Sequence, residues 1–434
     1  MRLYRLISAL ALAGYAPFAL VRSLSGRRKI GDLAGRLGQT SYPDLAGGIW
    51  VHAVSVGEVG VARSLLAELS RRVPDQRLGL SASTAAGLDL ARRGGGDIPV
   101  FPFPLDLEGP VTRALSRVRP GLVLLTETEI WPLFLDRAHA RGIPVALVNG
   151  RLSARSFAGY RRLGRWFTSV LSRVALFAMQ TSDDADRVAR LGADPARIRV
   201  TGNVKYDQPA APPFPDAARL RSLAAGRPFL AAGSTAEGEE EIVLSAWEAI
   251  PEAARPMLAI APRRPERFGA VAELAARRGH AVLRRSDERE RDTAAGAAAA
   301  GAGARAVYLL DSIGELASLY GEARLAFVGG SLLAGGGGHN PIEAWSAGVP
   351  VVTGPYTESF REVTADGERL GILERADAAS LGRTFARIFE DPAALGERGE
   401  RARRAVAESR GAAGRTVEFV LPLLSRSDLR TATR

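Results

Sequence analysis

Two doubly wound α/β domains, each a parallel sheet covered by helices on both faces, are the architecture this sequence predicts. Three observations lead there. From Gly48 onward short β-type runs alternate with amphipathic helical segments, the pattern of βαβ units. A proline-rich stretch, QPAAPPFPDAA at Gln208 to Ala218, interrupts that alternation and reads as an interdomain linker. The same rhythm then resumes and runs beyond Gly330. The predicted strands are mostly unbroken apolar runs, as expected of strands buried on both faces.

Residues 1–30 come first. Leu6 to Val21, LISALALAGYAPFALV, is the most apolar stretch, flanked by Arg2 and Arg5 before it and Arg22, Arg27, Arg28 and Lys29 after it. A signal peptide or a buried core helix is one reading. The run is short for a span, Pro17 interrupts it, and the basic cluster behind it favours a membrane anchor or interfacial helix that keeps the next domain on the cytoplasmic side.

The first domain, residues 31–207, carries strand candidates at Ile49 to Val54, Leu78 to Ser83, Val100 to Phe103, Leu122 to Leu125, Val145 to Asn149 and Leu176 to Gln180. After the linker at 208–218, the second domain, 219–424, has candidates at Phe229 to Ser234, Met257 to Pro262, Ala281 to Arg285, Ala306 to Asp311, Leu325 to Val328 and Val349 to Val352. Thr293 to Ala304 is an Ala/Gly low-complexity insertion, and 425–434 reads as a polar tail. Two such domains joined by a hinge imply a central cleft, with ligands beyond the carboxyl ends of the strands.

Composition narrows the function. The 434 residues are 46% hydrophobic with a net charge of +11, so the chain is globular, and the charge suits an anionic partner (nucleic acid, an acidic membrane surface or a phosphorylated substrate), although a GC-rich genome gives the same arginine bias. The chain has no cysteine and four histidines. Disulfides, thiolate chemistry and a histidine-built metal centre are thereby excluded or disfavoured.

The motifs that carry chemistry follow strand ends. SVGEVG places Glu58 in the first turn of a helix, where it either offsets the dipole or faces the cleft. TETEIWP brings Glu127 and Glu129 to an equivalent edge, and NGRLSARSFAGYRRLGRW adds Arg151, Arg155, Arg161 and Arg162. In the second domain GSTAEGEEE offers Gly233, Ser234 and Thr235, and APRRPERF offers Arg263, an arginine suited to phosphate. The stretch AFVGGSLLAGGGGHNPIEAW runs from a strand through a glycine loop containing Gly330 into a helix. There Asn340 suits the N-cap, Pro341 the first position and Glu343 the third. A phosphate fits such a helix start, although a capping box on a surface loop reads the same way. Neither P-loop nor GxGxxG spacing is present, which weakens ATPase and dehydrogenase readings.

In order along the chain, SVGE, TETExWP, RLSARSxAGY, TGNVKYD, PRxPERF, the IGEL of Ile313 to Leu316, FVGGSL and GGHNPIE resemble the 3-deoxy-D-manno-octulosonic acid (Kdo) transferases of lipid A synthesis. The resemblance implies a GT-B glycosyltransferase with its acceptor on the first domain and sugar nucleotide on the second. It implies transfer of Kdo from CMP-Kdo to lipid IVA, with inversion, at the cytoplasmic face of the inner membrane, an anionic surface, and without nucleic acid or metal. By the same resemblance Glu58 is the general base, supported on the acceptor side by Glu127, Glu129, Arg151 and Arg155. Gly233, Ser234, Thr235, Arg263, Gly330 and Asn340 hold the donor, Glu343 accepts the ribose hydroxyls, and Ile313 with Gly314 meets cytosine. The chain departs from the family's usual residues at Leu133, Arg264 and Ser359.

Two other classes share part of this pattern. A GT-B enzyme using a UDP-sugar and a lipid-linked acceptor would keep the fold without RLSARSxAGY. A membrane-tethered nucleic-acid-binding protein would interleave exposed aromatics with basic clusters, whereas aromatics make up 6% of the chain and lie mostly within apolar runs.

Overall fold

A computed structural model describes Tyr4 and residues 33–39, 42–93, 96–207, 211–287 and 305–431. The predicted anchor at Leu6 to Val21 and the low-complexity insertion lie outside these residues. Among the described residues no helix is long and apolar enough to cross a membrane. The chain divides into two compact units, one of Met1–Gln208 with Ser409–Arg434 and the other of Pro209–Glu408.

Unit 1 is built on a seven-stranded sheet of β1 (Ile49–Ala53), β2 (Leu78–Ala82), β3 (Val100–Pro102), β4 (Leu122–Thr126), β5 (Val145–Gly150), β6 (Leu176–Met179) and β7 (Ile198–Val200), ordered β3-β2-β1-β4-β5-β6-β7. Every pairing is parallel. Side chains alternate between two buried layers, as a period of two requires. Trp50, Val123, Leu125, Val145, Leu147 and Phe177 fill one layer, and Ile49, Val51, Leu122, Leu124, Ala146 and Val148 fill the other.

The second layer is closed by a helix from the far end of the chain. Ala412, Ala413, Val417 and Val420 of the helix Ala412–Thr431 pack there, fully or almost fully buried. The first turn of that helix is capped from a distance: Asp207 accepts the Gly411 N–H at 2.6 Å on one oxygen and the Ala413 N–H on the other. The expected second-domain boundary at 424 therefore moves back to Glu408, and the expected tail at 425–434 is helical through Thr431.

Unit 2 has its own seven-stranded sheet: β8 (Phe229–Thr235), β9 (Met257–Pro262), β10 (Ala281–Arg284), β11 (Ala306–Leu309), β12 (Leu325–Val328), β13 (Val351–Thr353) and β14 (Leu373–Arg375), ordered β10-β11-β9-β8-β12-β13-β14. It too is parallel throughout. In both units the first strand in sequence lies in the interior of its sheet, so connections leave it in opposite directions. β1 parts from β4, and β8 from β12, at a topological switch point, where such sheets leave room for a ligand.

Replacing Asp207 by Ala removes the remote cap, and unit 1 should lose roughly 0.5–2 kcal/mol. Thermal or urea unfolding should show the lower stability, and an unchanged transition would mean the apolar face alone holds the terminal helix.

Candidate functional site

On unit 1 the switch point is acidic. Strand β1 runs into the helix Val56–Arg72, and Glu58, its third residue, turns back over the strand end. Its Oε2 accepts the Val54 N–H at 2.8 Å and lies 2.9 Å from the Thr126 hydroxyl, while Oε1 accepts the Ser55 hydroxyl at 3.0 Å. A carboxylate has about four lone-pair sites, so these three bonds orient Glu58 and leave capacity for a proton. The residue is 8% exposed. Burial first, and then the nearby charge of Glu127, push its carboxyl above the ordinary range, against the pull of the Val54, Thr126 and Ser55 hydrogen bonds.

Glu127 follows the last residue of β4 and sits in the left-handed region with φ +53°, a conformation disfavoured for a side chain of this kind. Its Oε1 meets Lys205 Nζ at 2.8 Å and its Oε2 meets Arg151 Nε at 3.3 Å. Among the described residues Glu129 has no ion pair: burial, then the charges of Glu58 and Glu127, push its carboxyl up to about 7 against the pull of Trp131. Glu58, Glu127, Glu129, Arg151 and Lys205 thus form one electrostatic cluster at the ends of β1, β4 and β5. Arg155 stands exposed on the helix Ala154–Arg161, which has no buried residue, and no described contact joins it to the cluster. Lys205 is not among the residues expected from sequence, although its place in TGNVKYD, between a strand end and the linker, was a signal for it.

On unit 2 the switch point lies between the ends of β8 and β12. Ser234 has φ +55°, and the β8–β9 register shifts between Gly233 and Thr235. Thr235 is 1% exposed and its hydroxyl has no hydrogen-bond partner among the described residues. Gly233 is required by packing, because a Cβ there would lie 2.0 Å from the Tyr320 hydroxyl. The Arg263 N–H donates to Thr235 O at 2.9 Å. Its charge acts on both His339 and Glu343, which brings the PRxPERF and GGHNPIE segments together. Burial, helped by Arg263, pushes His339 down to about 4, and burial pushes the Glu343 carboxyl up, opposed by Asn340 and Arg263. Ile313 is 81% exposed, beside Gly314 at φ +90°.

Two expectations change here. The helix after Asn340 is only Ile342–Ser346, preceded by Pro341 in helical geometry. Asn340 still accepts the Ile342 N–H at 3.1 Å, but five residues supply little dipole. The Gly330 N–H, expected to face a ligand, instead donates to Glu239 Oε2 at 2.6 Å. The φ of Gly330, +68°, and the absence of its Cβ make room for His339, whose ring would lie 2.7 Å from that atom. Glu239 and His339 were not singled out from sequence.

Residues 31–208 match a family model described as 3-Deoxy-D-manno-octulosonic-acid transferase (kdotransferase), and residues 288–407 match Glycosyl transferases group 1. The 3-deoxy-D-manno-octulosonic acid transferase of Haemophilus influenzae is 33% identical over 94% of this chain and 94% of its own. Its counterpart from Bordetella pertussis is 34% identical over 95% and 97%. Among solved structures, MurG from Acinetobacter baumannii is similar with a TM-score of 0.51 and 14% identity, covering 86% of this chain and 99% of that one. That likeness concerns the fold, which is GT-B-like.

Glu129 makes stability depend on pH. Its folded value of about 7 exceeds the ordinary 4.5, so between those values the native state holds a proton that the unfolded chain has released. Its contribution therefore declines as pH rises through this window and is constant above it. Glu129→Gln should be more stable than wild type at pH 8 by on the order of 1–3 kcal/mol, with the difference shrinking towards pH 5. Denaturant titrations at the two pH values test this, and a pH-independent difference would contradict it.

Proposed function

The chain belongs to the 3-deoxy-D-manno-octulosonic acid (Kdo) transferase family of glycosyltransferases, and from that premise we propose that it transfers Kdo from CMP-Kdo to the lipid A precursor lipid IVA, with inversion. The observation that carries the reading is the buried carboxylate of Glu58 at the β1–β4 switch point, oriented by Val54, Ser55 and Thr126 and raised in basicity by burial. A positioned base of raised pKa suits removal of a hydroxyl proton.

In this mechanism Glu58 takes the proton of an acceptor sugar hydroxyl as that oxygen attacks the anomeric carbon of Kdo. The bond from that carbon to the CMP phosphate breaks, and its electron pair leaves on the phosphate oxygen. One displacement inverts the anomeric centre, with no glycosyl-enzyme. Lys205 and Arg151 keep Glu127 ion-paired, which limits the negative charge around Glu58. Glu129, protonated over part of the neutral range, limits it further and provides a second site for a proton.

The donor reading of unit 2 rests on Arg263 beside Thr235, His339 and Glu343. Arg263 and the polar groups of Ser234 and Thr235 would balance the phosphate charge and stabilise the leaving group. Glu343 would accept the ribose hydroxyls, and the exposed Ile313 with the Gly314 backbone would meet cytosine. Metal ions have no assigned step. The apolar run at Leu6 to Val21 with its flanking arginines, and the charge of +11, support attachment to the cytoplasmic face of an anionic inner membrane, where the lipid acceptor resides.

Glu58→Gln should abolish Kdo transfer while CMP binding, measured by calorimetry, stays at wild-type affinity. A Gln variant that kept wild-type turnover would remove Glu58 from the role of base. Glu343→Ala should raise the KM for CMP-Kdo about ten-fold or more, since lost hydrogen bonds to a charged group cost roughly 1.5–3 kcal/mol. An unchanged KM in steady-state kinetics would leave Glu343 a packing residue.

A further inference from the structure

Two loops of unit 2, those after β8 and β12, converge on one carboxylate. Glu239 opens the helix Glu239–Glu248 and is 0% exposed. Its Oε2 accepts the N–H groups of Ala236 at 2.8 Å and Gly330 at 2.6 Å, and its Oε1 accepts those of Ser331 and Leu332, each at 2.7 Å. The neighbouring acids act differently. Glu240 pairs with Arg267 at 3.2 Å, and the Glu241 side chain is 67% exposed. The acidic run is thus more than compensation for a helix dipole.

The connection extends through Ser331. Its hydroxyl donates to Val328 O at 2.7 Å and accepts the Gly354 N–H at 2.8 Å, and its carbonyl accepts the Tyr356 N–H at 2.9 Å. The segments following β8 and β12 are therefore joined through the Glu239 carboxylate, and the segment following β13 joins them through Ser331. Gly329 allows the approach, because a Cβ there would lie 2.7 Å from Ser234 O and 2.8 Å from Glu239 Oε2.

Successive N–H groups such as those of Gly330, Ser331 and Leu332 make a concavity that binds anions, and here the protein fills it with an anion of its own. We propose that Glu239 is a positioning residue of the donor site: it occupies the concavity after β12 and thereby fixes that loop against Ser234 and Thr235, which face the phosphate of the sugar nucleotide. This rests on the donor reading of unit 2. The phosphate is left to Ser234, Thr235 and Arg263, and Glu239 acts on it only through the backbone it holds.

Glu239→Gln turns an NH2 group against two of the four N–H donors. In the full chain, the KM for CMP-Kdo and the Kd for CMP should both rise roughly ten-fold or more, while the KM for the lipid acceptor stays within about two-fold. Glu241→Gln removes the same charge from the same helical turn and should leave the donor KM unchanged. A folded Glu239→Gln protein with wild-type CMP affinity overturns the proposal, as does an equal rise in donor and acceptor KM. Should the Gln variant fail to fold, Glu239→Asp, which keeps the charge but withdraws it by one methylene, is read by the same criteria. Wild-type protein that binds no CMP overturns the donor reading itself, and the proposal with it.

Discussion

The functional residues of this chain depend on one topological constraint: β1 and β8, each first in its sheet, lie in the interior of that sheet with parallel neighbours on both sides. Because every strand of a sheet points the same way, all of the loops after the strands emerge along one edge. Because the connections diverge from the first strand, those loops part there. Glu58, Glu127 and Glu129 occupy that gap on unit 1, and Ser234, Thr235 and the Gly330 loop occupy it on unit 2. Backbone residues in the left-handed region stand at both places, Glu127 and Ser234, where strain of on the order of 1–3 kcal/mol is held by the surrounding sheet.

The two gaps use buried carboxylates in opposite ways. Glu58 and Glu239 both sit in the first turn of the helix that follows the first strand, and both turn back towards the backbone before it. Glu239 receives four N–H groups and cements loops together. Glu58 receives one N–H and two hydroxyls and shares its surroundings with two other acids. Hydroxyls are more easily redirected than a backbone amide, and burial near like charge favours the protonated form. The same residue type at an equivalent place thus ties loops together on one unit and keeps a raised carboxyl pKa on the other.

Sequence periodicity located the strands buried on both faces, because unbroken apolar runs such as Leu122 to Leu125 have few other homes. It missed β7, whose Ile198–Val200 is half-buried or exposed, and β14, which is three residues long. The return of Ala412–Thr431 to unit 1 was not legible, since an amphipathic stripe does not say which sheet it covers. Among site residues, Glu58 and the TETE acids were visible as acids at strand ends. Glu239 was hidden in an acidic run that looks like ordinary dipole compensation, and its role appears only when the loop after β12, about ninety residues later, closes over it. Asn340 capped its helix as its type suggested, but the following helix proved too short to serve as a phosphate site by its dipole.

Whether these groups move Kdo is tested most directly by mass spectrometry of the lipid product. After incubation of the full chain with CMP-Kdo and lipid IVA, the acceptor should gain whole Kdo residues, with one CMP released for each. An acceptor of unchanged mass, or one modified only when a UDP-sugar replaces CMP-Kdo, would rule out Kdo transfer by this chain.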